Sequence, residues 1–409
     1  MTVPTRRRFA VVGARVLPVC GPPLNDGVLV VADGRIESVG ERVPEGVPRV
    51  DAAGCWLVPG MIDAHAAVGI VEEGIGWAGD DAREYGADAG LRASDAINPA
   101  DLGLRDAIAG GVLAADVSPS VASPIGGQCV TIRCACPGGD GPGGAGPGRP
   151  AVGVTISELV LRDPSGVRAA LGERVKRTDG EFPITRMGAA SVIRAALTAG
   201  RDRLDRDRFD RDRLDGGGEP ASSAPATEEL AALGRVLRRE IPLRAHAHRA
   251  DDIATAMRIA DEFGARLVID RGTEAHLVAD RLAERDVPVV LGPLVVDRRG
   301  VEQRGRTLRA AARLAAAGVR LAFTTGAGTI PVELLAHQAC FAVREGLDPA
   351  TAVAALTLEP ARILGVDDRL GSLEPGKLAD FCLWDGDPLD PRRRVLAAYI
   401  GGELTYQYG

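Results

Sequence analysis

The chain has 409 residues, of which 45% are hydrophobic and 26% charged, an ordinary composition for a soluble protein with a large core. Its length fits one large domain with a smaller one appended. The net charge of −7 gives no broad basic field for a phosphate backbone, and no apolar run reaches the length of a membrane span, so neither nucleic acid nor a bilayer is an expected partner.

The first 60 residues contain several short apolar segments that predict β-strands. They read FAVVGARVLP, DGVLVVADGRIESVG and CWLVPG, with Asp-Gly turns between them. After a Pro-Gly turn, the segment MIDAHAAVG carries Asp63 and His65 to the end of another apolar strand, and Ala67 follows two places on. We therefore expect a β-rich start that leads into a strand with a polar end.

The centre of the chain has a different pattern. Between Ala151 and Thr357 short apolar runs alternate with alanine-rich helical stretches, as in ARLVID, EAHLVADRLAERD and VPVVLG. This alternation predicts parallel strands joined by crossover helices. Two stretches, 137–149 and 201–228, are predicted to be flexible insertions, although the Arg-Asp repeat that begins at Arg201 could extend a helix through neighbouring charge pairs.

The tail returns to strand patterns. GSLEPGKLADFCLWDGDP and VLAAYIGGELTYQY contain turns at Pro375-Gly376 and Asp385-Gly386, with β-forming residues around them. A β-rich start and a β-rich end around an α/β centre indicate that both ends meet in one small domain.

Two histidines occur close together in HAH, at His246 and His248. Side chains at positions i and i+2 of a strand point to the same face, and two neutral imidazoles at a strand end are good ligands for zinc or a similar ion. The alternative is that only one of them faces a site while the other makes a hydrogen bond.

The whole chain resembles the amidohydrolase superfamily, and is most similar to imidazolonepropionase-related bacterial amidohydrolases. The resemblance rests on GCWLVPGMIDAHAAVG, NPADLGLRDAIAGGV, SPIGGQ, PITRMGAASVIRAAL, HAHRADDIATAMRIADEFG, GTEA and LTLEPARILGVDDRLGSLEPGKLADFCLWDGDPL, in the family's order. It implies an α/β fold, a (β/α)8 TIM barrel of the metal-dependent hydrolase type with a small β-sandwich domain formed by the N- and C-terminal segments. The implied boundaries are 1–58 and 363–409 for the sandwich and 59–362 for the barrel.

The resemblance also implies a reaction. In such enzymes a metal-bound water attacks a carbonyl carbon, and an aspartate after strand eight takes its proton. The expected activity is hydrolysis of a carbon–nitrogen bond, not a peptide bond, in a small amide or cyclic amide. The implied metal ligands that are present are His65, His246 and His248.

Three positions depart from the implied metal site. The second histidine of the first motif is Ala67, the histidine before GTE is Arg271, and the aspartate of strand eight is Gly326. The side chains of alanine and glycine have no atom that can bind a metal. The permanent positive charge of arginine repels a divalent metal ion. The remaining histidines fall short of the three protein ligands usual for catalytic zinc if only one of the HAH pair binds.

Other polar residues are weaker candidates for the site. Glu173 and Lys176 lie in ALGERVKRTDG, which resembles a segment of close relatives; Lys176 is one of two lysines among 49 basic residues. Lys176 is predicted to be a catalytic residue that is carboxylated or contacts phosphate, or else to be an ordinary surface lysine. Glu173 is predicted to contact substrate. Asp81 and Glu84 are predicted to line the barrel mouth and contact substrate, or to belong to a solvated loop.

Three functional hypotheses follow. The first is a hydrolase with a degenerate metal site. The second is a catalytically inactive relative that serves as a ligand-binding or assembly module. The third is metal-free catalysis in which Arg271 holds a carboxylate or oxyanion and a histidine acts as acid or base.

The cofactor and the partners are predicted from the same features. We expect one divalent metal, with zinc as first choice, or none, and a small molecule as substrate or ligand. Relatives are often dimers, so a homodimer is also considered. Seven cysteines, an odd number without CxxC spacing, favour a reducing, cytoplasmic compartment.

Overall fold

Two β-sheets contain all the strands of the described part of the chain. The computed structural model describes residues 8–72, 88–119, 122–136, 154–177, 180, 182–215, 227–298, 300–326 and 328–409. The strands are β1 (Arg8–Val16), β2 (Leu24–Ala32), β3 (Arg35–Gly40), β4 (Arg49–Asp51), β5 (Trp56–Pro59), β6 (Met61–Ala66), β7 (Val112–Val117), β8 (Ile125–Arg133), β9 (Val160–Ala170), β10 (Leu243–Ala247), β11 (Leu267–Arg271), β12 (Val289–Leu291), β13 (Leu321–Phe323), β14 (Phe381–Trp384), β15 (Val395–Ile400) and β16 (Glu403–Gln407).

The first sheet joins the two ends of the chain. Its strand order is β16-β15-β14-β5-β1-β2-β3, and β4 pairs with β1. The junction is the antiparallel pairing of β14 with β5, in which Cys382 lies opposite Val58. The rings of Phe381 and Tyr399 stack at 4.6 Å in the apolar core of this sheet. The chain ends therefore form one β-rich unit; the exact boundaries at residues 58 and 363 stay a prediction.

The second sheet is the barrel wall, in the order β6-β7-β8-β9-β10-β11-β12-β13. Its strands are almost completely buried, as expected of a sheet covered on both faces. Strand β8 pairs antiparallel with both β7 and β9, whereas the other pairings are parallel. The prediction of parallel strands between residues 151 and 357 is confirmed for β9 to β13. The antiparallel β8 lies before that range, where a short connection from β7 returns the chain in the opposite direction.

Side-chain hydrogen bonds link the last barrel strand to the first. The hydroxyl of Thr324 donates to the carbonyl oxygen of His65 over 2.6 Å. The backbone N–H and the hydroxyl of Thr325 donate to Oδ2 of Asp63 at 3.0 and 2.6 Å. These contacts hold β13 beside β6. The predicted (β/α)8-type barrel with a β-rich second unit is confirmed.

Helices cover the barrel. They are α1 (Leu102–Ala109), α2 (Ile156–Leu159), α3 (Arg186–Asp215), α4 (Glu228–Leu237), α5 (Ala250–Phe263), α6 (Ala279–Glu284), α7 (Ala310–Ala316), α8 (Leu335–Arg344), α9 (Pro349–Leu356) and α10 (Leu358–Leu364). Helix α5 shows the local logic: acidic residues occupy its first turn, its buried face is apolar, and it ends at Gly264 in the left-handed conformation.

The Arg-Asp repeat from residue 201 is helical. Helix α3 continues through residue 215, and Arg203 pairs with Asp207 one turn later at 2.9 Å. The predicted flexible insertion is therefore corrected for 201–215, where neighbouring charge pairs support the helix. Residues 216–226 and 137–149 lie outside the described part. Within the described residues, no helix has the length and apolar character needed to cross a membrane.

Candidate functional site

Four strand ends meet at the carboxyl end of the barrel. His65 lies near the end of β6, His246 near the end of β10, Arg271 at the end of β11, and Gly326 just after β13. Ala247 and Arg271 are paired in the parallel register of β10 and β11. Since the carboxyl ends of parallel strands share one end of a barrel, these residues form one cluster at the position where barrel enzymes carry their sites.

The three histidines of the cluster are buried and have polar neighbours. Nδ1 of His65 lies 3.0 Å from the hydroxyl of Ser118, and Nδ1 of His248 lies 2.7 Å from the hydroxyl of Thr273. The rings of His246 and His248 meet edge to face, with their centroids 4.8 Å apart. The structure thus brings together all three histidines that the sequence analysis selected.

Arg271 occupies the space that a side chain on residue 326 would need. A Cβ atom built on Gly326 would overlap Nη1 of Arg271 and lie 2.5 Å from its Cζ and 2.9 Å from its Nη2. Nη2 also donates to the carbonyl oxygen of Gly326 at 3.0 Å. An aspartate at 326 is therefore incompatible with this position of Arg271. The arginine and the glycine are physically complementary substitutions.

A fully buried arginine, absent from the sequence predictions, contacts His246. Nη2 of Arg168 lies 2.9 Å from Nδ1 of His246, and Nη1 donates to Oδ2 of Asp270 at 2.8 Å. Arg244 donates to the other oxygen of Asp270 at 2.7 Å and to Asp116 at 2.6 Å. The available signal was a charged residue inside an apolar strand, in SGVRAA and in PLRAHA.

Burial and nearby positive charges keep the histidines neutral. Burial first, and then the charge of Arg168, lower the pKa of His65 well below its usual value. Burial has the same effect on the pKa of His246, with neighbouring His248 and Arg168 adding to it. Burial and the charge of Arg271 lower the pKa of His248 to about 3. At neutral pH the cluster therefore contains uncharged imidazoles beside protonated arginines.

The remaining predicted residues lie elsewhere or outside the described part. Lys176 donates to both carboxylate oxygens of Glu173 at 2.7 Å, as a partly exposed i,i+3 pair. The backbone N–H of Glu173 donates to the carboxylate of Glu302 at 2.8 Å. Neither side chain is shown in contact with the histidines, so their roles stay predictions. Asp81 and Glu84 lie outside the described residues.

A divalent metal does not fit this set of donors. No group of three His, Cys, Asp or Glu side chains in the described ranges could hold a metal ion. A zinc-bound histidine normally donates its other N–H to an acceptor, whereas Nδ1 of His246 faces the donor group of Arg168. This imidazole then keeps its proton on Nε2 and has no lone pair there for a metal. Arg271 adds a positive charge to the same cluster.

The comparisons with known proteins agree with this architecture. A model described as "Amidohydrolase family" matches residues 229–405. An imidazolonepropionase from Aromatoleum aromaticum is 31% identical over 389 residues, which cover 89% of this chain and 86% of that protein. The crystal structure of an amidohydrolase from Thermotoga maritima MSB8 has a TM-score of 0.89 and 36% identity, and the match covers 98% of this chain and 100% of that one.

A longer relative matches as well. Amidohydrolase tasK of Hapsidospora irregularis is 27% identical over 397 residues, which cover 93% of this chain but only 39% of that protein. The imidazolonepropionase and the Thermotoga structure match at higher identity and over most of both chains. The chain belongs to the amidohydrolase superfamily of hydrolases.

Proposed function

We propose that this chain is a metal-free member of the amidohydrolase superfamily that binds a small molecule at the carboxyl end of its barrel and does not hydrolyse it through a metal-bound water. The observation that carries the proposal is the overlap of Arg271 with the side-chain volume of residue 326. Arg271 replaces the histidine ligand, and Gly326 replaces the aspartate that accepts a proton in the family's reaction. The two replacements are in contact with each other.

The remaining groups support binding better than hydrolysis. A general base works best when its pKa lies near the working pH, but the pKa of His248 is lowered to about 3. Asp270 is fully buried and held by Arg168 and Arg244. The backbone N–H of His65 and the hydroxyl of Thr325 donate hydrogen bonds to the carboxylate of Asp63. Both carboxylates are thus engaged in contacts inside the barrel.

Metal binding tests the proposal directly. Protein produced in zinc-supplemented medium, and the same protein dialysed against a chelator and titrated with zinc, should both contain far less than one metal ion per chain. The histidine substitution His246→Gln should leave this low content unchanged. Stoichiometric zinc that disappears in His246→Gln would overturn the proposal.

Hydrolysis of a carbon–nitrogen bond in a small amide or cyclic amide is the second candidate function. Membership of the superfamily and the likeness to an imidazolonepropionase favour it. It predicts turnover of a cyclic amide that a chelator abolishes and added zinc restores. Turnover with those two properties would favour this second function over binding alone.

A further inference from the structure

The contact between Arg168 and His246 fixes where the imidazole carries its proton. A guanidinium group has only donors, so Nδ1 of His246, 2.9 Å from Nη2 of Arg168, must be an acceptor. A neutral imidazole then has its proton on Nε2. Arg168 is itself fully buried and paired with Asp270 at 2.8 Å, which holds its guanidinium in place. His246 therefore presents an N–H group to the barrel mouth.

Three donors of the cluster are buried without a hydrogen-bond partner among the described residues: Nε of Arg168, Nε2 of His246 and Nε of Arg271. Arg168 is already held through its other nitrogens by Asp270 and His246. A buried donor that has lost water and gained no acceptor is destabilising, and such groups are rare in folded proteins. Nε2 of His246 and Nε of Arg271 belong to the ends of adjacent strands, β10 and β11. Their missing partner is an acceptor.

The charge of the surroundings indicates that this acceptor is an anion. The positive charges of Arg168, Arg271 and Arg174 all act on His248. The nearest carboxylates are already used inside the barrel, since Asp270 accepts from two arginines and Asp63 accepts from Thr325. A negative ligand would both accept hydrogen bonds and pair with the guanidinium of Arg271, which among the described residues donates to the carbonyl oxygen of Gly326 and to no carboxylate.

We infer that the cluster binds the carboxylate group of a small molecule, with Arg271 and Nε2–H of His246 as donors and Arg168 as the residue that positions His246. The inference rests on the proposed function and adds its ligand class. A planar guanidinium matches a carboxylate geometrically. The buried Nε edge of Arg271 together with one neutral N–H suits a monoanion better than a phosphate dianion.

The first test measures the proton on His246 without any ligand. The chain has five histidines, so protein labelled with 15N-histidine gives a simple imidazole spectrum, and His246→Gln identifies the signals of His246. We expect Nε2 to be protonated and Nδ1 to be unprotonated at pH 7. A proton on Nδ1 would overturn the role of Arg168 and with it the inference.

The second test adds sodium acetate as the probe and sodium phosphate or chloride at equal ionic strength for comparison. Acetate should shift the Nε2–H signal of His246 saturably, and Arg271→Gln should weaken the apparent affinity at least tenfold. Arg271→Lys should weaken it less because the charge remains. Arg320→Gln, which removes an exposed arginine paired with Asp286, should leave it unchanged.

The outcomes separate the inference from the proposed function. An acetate response of equal affinity in wild type and in Arg271→Gln, or no saturable response to acetate, overturns the carboxylate site while the zinc measurements still stand. A stronger response to phosphate than to acetate also overturns the choice of a carboxylate. Stoichiometric zinc binding overturns the proposed function instead.

Discussion

At Gly326 the backbone has a φ of +67°, and the guanidinium of Arg271 fills the volume beside it. Arg271 itself has a φ of +77°, a conformation that is costly for any residue with a side chain. This positive φ at the end of β11 directs the side chain of Arg271 toward Gly326 in spite of its backbone cost. Arg271 in this position leaves no room for a side chain at residue 326, so the glycine there is compatible with the arginine whereas an aspartate is not.

The contact between Arg271 and Gly326 predicts that Gly326→Ala lowers the free energy of unfolding more than Gly328→Ala does. Gly326→Ala should lower the free energy of unfolding by the left-handed backbone cost of about 1–2 kcal/mol and, in addition, by the cost of displacing the guanidinium of Arg271 from its hydrogen bond to the carbonyl oxygen of Gly326. Gly328 has a φ of +72°, but among the described residues a Cβ there would have only a side-chain atom of Val71 nearby, at 3.5 Å. Urea unfolding of Gly328→Ala therefore measures the backbone cost alone.

A double substitution completes this test. In an Arg271→Ala background the cost of Gly326→Ala should fall to that of Gly328→Ala, since the overlapping guanidinium is gone. Equal costs of Gly326→Ala with and without Arg271 would contradict the complementarity of the pair.

The low pKa of His248 predicts a loss of stability in acid. Its pKa in the folded chain is about 3, below the ordinary value of about 6.5 for the unfolded chain. As the pH falls through 6.5 the unfolded state takes up this proton first, so stability is complete above that pH and decreases toward pH 3. The loss at pH 5 is about 2 kcal/mol for this group.

The measurement is urea unfolding of wild type and His248→Gln at pH 7 and pH 5. At pH 7 the imidazole is neutral in both states, so the variant reports only packing and the contact with Thr273. Between pH 7 and pH 5 the variant should lose about 2 kcal/mol less than wild type. Parallel losses in the two proteins would show that His248 does not titrate in this way.

Four barrel strands contribute an ionic layer that no single segment of the sequence reveals. Asp116 on β7, Arg168 on β9, Arg244 on β10 and Asp270 on β11 are buried and connected by hydrogen bonds of 2.6–3.2 Å. Asp116 and Arg244 are the only ionised side chains of β7 and β10, while Arg168 and Asp270 share their strands with other charged residues. Their pairing depends on which strands become neighbours, and that is a property of the closed barrel. The choice of tautomer at His246 follows from this layer.

One buried ion pair joins the barrel to the sheet built from the chain ends. Arg133, the last residue of β8, donates to both carboxylate oxygens of Asp380 at 2.8 and 2.9 Å. Asp380 directly precedes β14 and also accepts from the backbone N–H of Gly401 at 2.8 Å. The pair is 10% and 2% exposed at its side chains.

Breaking this pair should be costly. Arg133→Met should lower the free energy of unfolding by about 3–5 kcal/mol, because it leaves a buried carboxylate without its cation. The matched control Arg320→Met removes an arginine whose partner Asp286 is 80% exposed, and should cost less than about 1 kcal/mol. Similar effects of the two substitutions in urea unfolding would contradict a special role for the buried pair.

At the scale of the whole molecule, most of the architecture was predictable. The alternation of apolar runs and helical stretches indicated the barrel, and strand patterns at both ends indicated one shared β-rich unit. The reversed strand β8 was missed, because a buried strand has the same apolar composition in either direction. For residues 201–215 the sequence leaves a flexible insertion and a helix both open, because a composition that is polar on all sides resembles a linker while its charge pairs can support a helix.

The sequence by itself determined the family, the kind of fold and the identity of the three positions that depart from a metal site, because these depend on residue types and their order. Only the tertiary structure showed that Arg271 fills the space beside Gly326 and that Arg168 faces Nδ1 of His246. Both contacts join strands distant in sequence. Proton position and available space at the barrel mouth are set by such contacts, which residue types and their order do not reveal.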